Sequence, residues 1–455
     1  MKKNIPLLIV AALTLLSGCG LYKSYRPATS VPDNLYRDEH TGTDTSSIGH
    51  LDWQELFTDS QLQILINEGL ENNTDLRTAH LRVKEAEATL LSSRLSYLPA
   101  LMLNPQGTLS SFDGAKPAKS YQLAASASWE LDIFGKQTNT KRGAEAALEQ
   151  SKSYKQAVRT QLIATIANSY YTLLLLDKQL AISERTAAIW KENVNAMRAL
   201  KKAGLRDEAA VSQAEANYLS VEASLLTLRQ QINATENSLS TLLGKVPQTI
   251  NRSNLDKQVF PQKISTGIPL ELLKNRPDVQ QAEYSLAQAF YSVNEARSAF
   301  YPNITLSGSA GWTNSGGGFI TNPGALLLQA IGSLTQPLFN KGTNIARLKI
   351  TKAQQEEAAL AFRQSLLNAG SEVNNALTQW QTARERILLG NKQIKSLETA
   401  LKSTRLLMEH GDFTYLEVLT AQQSLLQAEL TVVSDRFDEI QGVINLYHSL
   451  GGGIE

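Results

Sequence analysis

The chain has 455 residues, a formal net charge of +1 and 19% charged residues, so it offers neither a basic surface for nucleic acid nor an acidic tail for cationic partners. One cysteine and five scattered histidines, His40, His50, His80, His410 and His448, exclude a disulfide framework and a Cys/His zinc site. Hydrophobic residues make up 42%, much of it alanine, which suits close-packed helix seams better than one broad globular core.

Lys2 and Lys3 precede an apolar run over residues 5–16 that ends in Leu16-Ser17-Gly18-Cys19. A basic start, a short apolar run and small residues before a cut describe a secretory signal, too short to span a bilayer. Leu-Ser-Gly-Cys also resembles the bacterial lipobox, which implies diacylation of the Cys19 thiol, cleavage after Gly18 and acylation of the new amino end. A conventional signal with an incidental cysteine is the alternative. Several acyl chains on one residue anchor a protein firmly where a single chain does not. Gly20 in place of an acidic residue implies, on the same resemblance, sorting to the outer membrane. The next stretch holds Pro27, Pro32 and a Thr/Ser/Asp/Gly segment at 41–49, and reads as an extended tether with no core of its own.

Asp59-Ser60 caps a predicted helix whose apolar positions Leu62, Leu65, Ile66 and Leu70 recur at helical spacing until Asn72-Asn73 ends it. A helix over 75–97 then stops at Pro99, and its copy over 278–301 stops at Pro302, 203 positions on. Beyond each proline the period changes. Tyr121, Leu123, Ala125, Ala127, Trp129 and Leu131 alternate with Gln122, Ala124, Ser126, Ser128 and Glu130. Ile304, Leu306, Gly308, Ala310 and Trp312 alternate with Asn303, Thr305, Ser307 and Ser309, and the two stretches are read as matching places in two halves. Period two over about eleven residues with aromatics near the ends is the pattern of a membrane β-strand; a soluble two-faced strand is the alternative. Weaker partners at 101–112 and 326–338 complete two hairpins, across loops with Gly114 and Pro117 and with Ser315-Gly316-Gly317-Gly318 and Pro323. Four strands cannot close a barrel and open edges are not tolerated in lipid, so several copies must share one barrel.

From about 142 to 202 and from about 344 to 410 no proline interrupts a helical pattern, which at 1.5 Å per residue reaches on the order of 90 Å. Each run turns at a glycine, Gly204 or Gly411, into a returning helix. In the first, Val211, Ala214, Tyr218, Val221, Leu225, Leu228, Ile232, Thr235, Leu239 and Leu242 recur at steps of three and four, a heptad seam. The second seam runs Leu426, Leu430, Val433, Phe437, Ile440, Ile444 and Tyr447. Gly204, Val211, Ala214, Leu219, Glu222, Leu243 and Gly244 reappear 207 positions later as Gly411, Val418, Ala421, Leu426, Glu429, Leu450 and Gly451, and Arg198 as Arg405. The chain is an internal tandem duplication. Its expected organisation is a lipoprotein signal over 1–18, an acylated tether over 19–60, a first repeat over 61–250, a linker over 251–274 and a second repeat over 275–455.

Six stretches then carry a resemblance that spans nearly the whole mature chain. They are Tyr25-Arg26-Pro27; Trp53 through Phe57 with Asp59; Trp129-Glu130-Leu131-Asp132-Ile133-Phe134-Gly135-Lys136; Pro269-Leu270-Glu271-Leu272-Leu273 with Asn275-Arg276-Pro277-Asp278-Val279; Gln336-Pro337-Leu338-Phe339; and Leu446-Tyr447 with Leu450-Gly451-Gly452-Gly453. Together they resemble the TolC-like outer-membrane factors, specifically the acylated NodT-type branch that serves resistance-nodulation-division efflux pumps. The resemblance implies a mainly α fold with membrane β: a homotrimer whose twelve-stranded β-barrel is continuous with a twelve-helix coiled-coil α-barrel through the periplasm. It implies membrane lipid around the barrel, and a tunnel tip docked on a periplasmic adaptor (membrane fusion) protein and an inner-membrane transporter that supplies the energy. No cofactor is expected beyond covalent lipid on Cys19.

On that resemblance Gly204, Leu205 and Arg206 at the first turn, and Gly411 and Phe413 at the second, are expected to meet the adaptor, with side chains just beyond them lining an aperture. Many relatives carry an aspartate before the Ala-Gln pair, where this chain has Thr420. Glu417, one helical turn earlier, could supply a ring of three carboxylates that repel when ionised and bind cations, or be a solvated surface residue. Asp412 is a further aperture candidate, although Asp207, Glu208 and Asp412 also suit helix starts. No phosphate loop, nucleophile elbow or metal cluster is found, and Leu243-Gly244-Lys245 lacks the upstream glycine of a phosphate loop, so no enzyme is expected. The expected function is the passive outer-membrane exit duct of a tripartite efflux pump. A type I secretion duct and a non-pore coiled-coil lipoprotein are the alternatives.

Overall fold

The computed structural model describes residues 22–27, 35, 47–114, 117–260, 275–314, 325–409 and 415–453. A short 3-10 turn at Ile48–His50 precedes α1 (Trp53–Leu56), α2 (Ser60–Asn72), α3 (Thr74–Leu95), β1 (Ala100–Ser110), β2 (Ala118–Leu131), α4 (Lys136–Lys202) and α5 (Glu208–Leu242). The second half supplies α6 (Pro277–Ser298), β3 (Asn303–Asn314), β4 (Ala325–Thr335), α7 (Thr343–Glu409) and α8 (Tyr415–Ser449). Duplication shows in the lengths: α3 and α6 have 22 residues each, α4 and α7 have 67, and α5 and α8 have 35.

Local chemistry explains the ends. The Asp59 carboxylate accepts from the Gln61 N–H at 2.9 Å and starts α2, as its Asp-Ser pair predicts. Pro277 occupies the first position of α6, where a missing N–H costs nothing. α4 begins at Lys136, earlier than the periodicity suggests, because Asp132 accepts from the N–H groups of Gln137 and Thr138, both at 2.8 Å. At its far end Gly204, with φ +74, donates to the Lys201 carbonyl while Leu205 donates to Leu200, both at 3.0 Å, a left-handed glycine cap.

The repeats also make the same tertiary contacts with different side chains. Asn73 Nδ2 donates to the Leu242 carbonyl at 3.0 Å, and Arg276 Nη1, 203 positions on, donates to the Ser449 carbonyl at 3.0 Å. Trp129 Nε1 donates to the Tyr97 carbonyl at 2.8 Å, and Gln336 Nε2 to the Phe300 carbonyl at 3.1 Å. Gly244 abuts Asn72 as Gly451 abuts Asn275. What was copied is a packing scheme as well as a string of residues.

The chain divides into two compact units, Met1–Thr29 with Leu81–Ser153 and Gln280–Ser365, and Ser30–His80 with Tyr154–Val279 and Leu366–Glu455. In the first, Phe134 stacks on Tyr301 at 5.0 Å, and Tyr25 packs edge-on against Phe290 while its N–H donates to the Tyr291 hydroxyl. In the second, Ile66, Ile163, Ile166, Tyr170, Leu174 and Trp190 are among the largest fully buried side chains. All ten seam positions of α5 are buried or half-buried, as the heptad spacing requires.

Three expectations are corrected. The stretch read as a coreless tether is docked in part: Trp53, Leu56 and Phe57 are buried, Phe57 meets Tyr447 edge-on, and the Tyr447 hydroxyl donates to the Leu51 carbonyl at 2.8 Å. Alternation over a short run could not reveal those buried aromatics. The last strand stops at Thr335 and not at 338, because Pro337 lacks the N–H that a ladder needs. The two strongly alternating strands are not equivalents in the duplication, since β1 corresponds to β3 and β2 to β4; they are instead adjacent, paired with each other. Cys19, the linker at 261–274, the loop at 315–324 and the second turn with Gly411, Asp412 and Phe413 lie outside the described residues. Among the described residues no helix is long and apolar enough to cross a membrane.

Candidate functional site: an open two-faced sheet and a helical turn

The four strands form one antiparallel sheet in the order β1-β2-β3-β4. Its register aligns Leu103 with Ala125, Ala125 with Ala310, and Ala310 with Leu328, and every second row repeats the match. One face therefore carries Leu101, Leu103 and Leu109 of β1, Tyr121, Leu123 and Trp129 of β2, Ile304, Leu306 and Trp312 of β3, and Leu326, Leu328 and Leu334 of β4. The opposite face carries Asn104, Gln106, Gln122, Ser126, Ser128, Thr305, Ser307, Ser309, Gln329 and Ser333, with Met102, Leu327 and Ile331 as apolar exceptions. Tyr121 and Trp129 sit eight residues apart, about 27 Å along the strand, the scale of the roughly 25 Å apolar band of an outer-membrane strand. The leucines of the apolar face stand exposed on the single chain. Among the described residues β1 and β4 each pair on one side only, so the sheet ends in two unsatisfied edges.

The run from Trp129 to Lys136 joins this sheet to α4, and the geometry accounts for most of its residues. Trp129 ties β2 to the Tyr97 carbonyl, Lys136 pairs with Glu130 at 2.9 Å, Asp132 caps α4, and Phe134 stacks on Tyr301. Gly135 has φ +69 and lies against the Tyr22 ring.

At the first helical turn Leu205 and Arg206 are exposed, Asp207 caps α5 by accepting from the Ala210 N–H at 3.0 Å, and Glu208 pairs with Lys201. Both acidic residues thus serve the helix start, as the sequence suggests. Glu417 and Thr420 lie one turn apart on α8, both exposed, with Val418 and Leu419 buried between them. Those two enter a cluster with Trp190, Val194 and Met197 of α4 and Val211, Ala214, Val221 and Leu225 of α5, and Leu401 and Met408 of α7 pack against it, so four helices hold this end.

Polar pairs join the same helices, and the sequence reading missed them. Arg185 Nη2 donates to both oxygens of Glu429 at 2.7 and 2.6 Å, Asn193 donates to Gln422 at 2.8 Å, and Arg198 grips Glu215 at 3.0 and 2.6 Å. Recurrence of Glu222 as Glu429 and of Arg198 as Arg405 was the available signal. Elsewhere in this unit Arg252 binds Asp177 at 2.5 and 2.9 Å and buried Glu236 at 2.5 Å, and these bonds, led by Asp177, raise its pKa. Buried Arg276 forks onto Asp278 at 2.9 and 2.6 Å and meets Glu372 at 2.7 Å, which gives the Asn-Arg-Pro-Asp-Val run a structural role. Burial pushes the Tyr170 hydroxyl up to about 12, so it stays protonated and donates to Asp59 at 2.7 Å. No group of three or more His, Cys, Asp or Glu side chains that could hold a metal occurs among the described residues.

The family model described as outer membrane efflux protein matches residues 65–245 and 268–452. The chain belongs to this family. Among its relatives is the cation efflux system protein CusC of Escherichia coli O157:H7, 30% identical over 99% of this chain and 98% of that one. The toluene efflux pump outer membrane protein TtgC of Pseudomonas putida is 28% identical over 100% and 96%. Of solved structures, a CusC crystal structure superposes with a TM-score of 0.86 at 27% identity, covering 95% of this chain and 99% of that one. The open-state MtrE channel of Neisseria gonorrhoeae gives 0.81 at 29%, covering 95% and 98%. As a family member the chain is a non-catalytic outer-membrane channel component of resistance-nodulation-division-type tripartite efflux systems.

Proposed function

We propose that three copies of this chain pool their four-stranded sheets into one twelve-stranded barrel, and their long helix pairs into one twelve-helix tunnel, forming a passive exit duct. The observation that carries this reading is the sheet itself, apolar on one face, polar on the other and open at β1 and β4. In lipid an open edge leaves backbone groups without partners, so each edge needs the next copy's. The apolar face then meets lipid and the polar face water. The turns at Gly204 and Gly411 are the ends offered to a periplasmic adaptor, and Cys19 carries the lipid that holds the chain to the outer membrane. The related channels are named for cation and for toluene efflux, which fits a duct that leaves selection to its pump.

The test is native mass and planar-bilayer conductance of the detergent-purified protein. A mass of three chains with a water-filled conductance is expected. A single-chain mass with no conductance overturns the reading in favour of a structural coiled-coil lipoprotein.

A further inference from the structure

In the unit that holds the sheet, α3, α4 and α6 line a cleft of about 580 Å³, to which Tyr25 and Pro27 of the extended N-terminal segment also contribute. Its floor is apolar, because Leu90 of α3 and Leu148 of α4 are buried in one cluster with Val83. Three carboxylates and three cations line it, and they are not equally engaged. Glu145 pairs with Lys141 at 3.7 Å, Glu149 pairs with Lys152 at 2.8 Å, and Glu283 has an electrostatic partner as well. Among the described residues no ion pair engages Arg94 or Arg142. The cleft is left with two uncommitted guanidiniums and no uncommitted carboxylate, which suits an anion.

Position along the helices selects the anion. Trp129 Nε1 donates to the Tyr97 carbonyl, so Tyr97 stands level with the aromatic end of the apolar face. Arg94 comes three residues before Tyr97, about 5 Å at helical rise. Arg142 lies about 9 Å along α4 from Lys136, which pairs with Glu130 of β2. The headgroup layer on each side of a bilayer is roughly 5–7 Å deep, and an arginine stem lets the charged head reach into it. Toward the sheet, Leu95 and Leu98 stand exposed just beyond Arg94, where acyl chains would begin.

We propose that this cleft binds a phospholipid of the periplasmic leaflet, with its phosphodiester between Arg94 and Arg142 and the start of its acyl chains on Leu95 and Leu98. Guanidinium forks match phosphate oxygens, and each charge-assisted bond is stronger than a neutral one. The site rests on the barrel reading, which sets this end of the sheet at the lipid headgroups, and adds to it a ligand and two anchoring residues.

The test is native mass spectrometry of the full chain released from detergent, with dioleoylphosphatidylglycerol as the probe and dioleoylglycerol, which lacks the phosphate, as its match. The wild type should hold the phospholipid with an apparent Kd at least tenfold below that of dioleoylglycerol; equal retention overturns the site whatever the variants do. Arg94→Gln with Arg142→Gln should weaken retention at least fivefold, whereas Arg405→Gln, near the other end of α7, should leave it unchanged. If the double variant keeps a three-chain mass and wild-type retention, the site falls and the duct stands. If it dissociates into single chains, the cleft is a contact between copies and the lipid assignment falls. Displacement of the lipid by a tenfold excess of inorganic phosphate would show a site for a free anion and overturn it too. A wild type of one chain sinks the barrel reading and the site with it.

Discussion

A β-carbon on Gly451 would overlap the carbonyl oxygen of Asn275, so the end of α8 touches the backbone that enters α6. Gly244 repeats the relationship with Asn72, where the added carbon would stand 2.9 Å from the carbonyl oxygen. Gly204 has the same left-handed backbone with nothing within 4 Å. Alanine should therefore cost about 1 kcal/mol at Gly204, for conformation alone. Thermal melting of the detergent-solubilised protein should rank Gly204→Ala mildest, Gly244→Ala intermediate and Gly451→Ala worst. Equal losses at all three would show that close approach contributes nothing.

Arg252 neutralises Glu236, which is buried, and Asp177, which is more exposed. Removing the cation strands Glu236 without a partner, and breaking a buried pair in this way costs roughly 3–5 kcal/mol. Arg252→Ala should lower stability by an amount at the low end of that range, because Asp177 rehydrates. Arg252→Met with Glu236→Leu should recover most of the loss in denaturant titrations, whereas additive losses would mean that the pair is not coupled.

His448 is held below its ordinary value of 6.5, chiefly by burial and next by the charge of Arg276, with Glu372 and Asp278 acting the other way. As pH falls below 6.5 the unfolded chain takes up this proton and the folded one does not, so stability declines until the folded value is passed. Above 6.5 both states are neutral and the contribution is complete. Melting temperature should fall from pH 7 toward pH 5, with a shallower slope in His448→Gln; parallel slopes would remove His448 from the pH response.

Glu417 and Thr420 share an exposed face of α8 next to the second turn. If three copies bring Glu417 into a ring, its carboxylates bind divalent cations and restrict flow. Glu417→Gln should raise single-channel conductance and weaken divalent block in planar bilayers. Unchanged conductance and block leave Glu417 a solvated surface residue.

Much of this architecture was legible before any coordinates. Heptad steps placed the α5 seam, prolines closed α3 and α6, period two marked β2 and β3, and a constant offset exposed the duplication, because each of these is a local rule acting along the chain. Tertiary structure decided what depends on distant partners. It set the two alternating strands side by side, buried Trp53 and Phe57, and joined Arg185 to Glu429 and Arg276 to Glu372 across long sequence separations. Periodicity reports which face of an element is apolar, but not which element covers it. Leu219 and Leu226 stay exposed on the folded chain although they lie on a helix whose opposite seam is buried, which the spacing of apolar residues along α5 could not foretell.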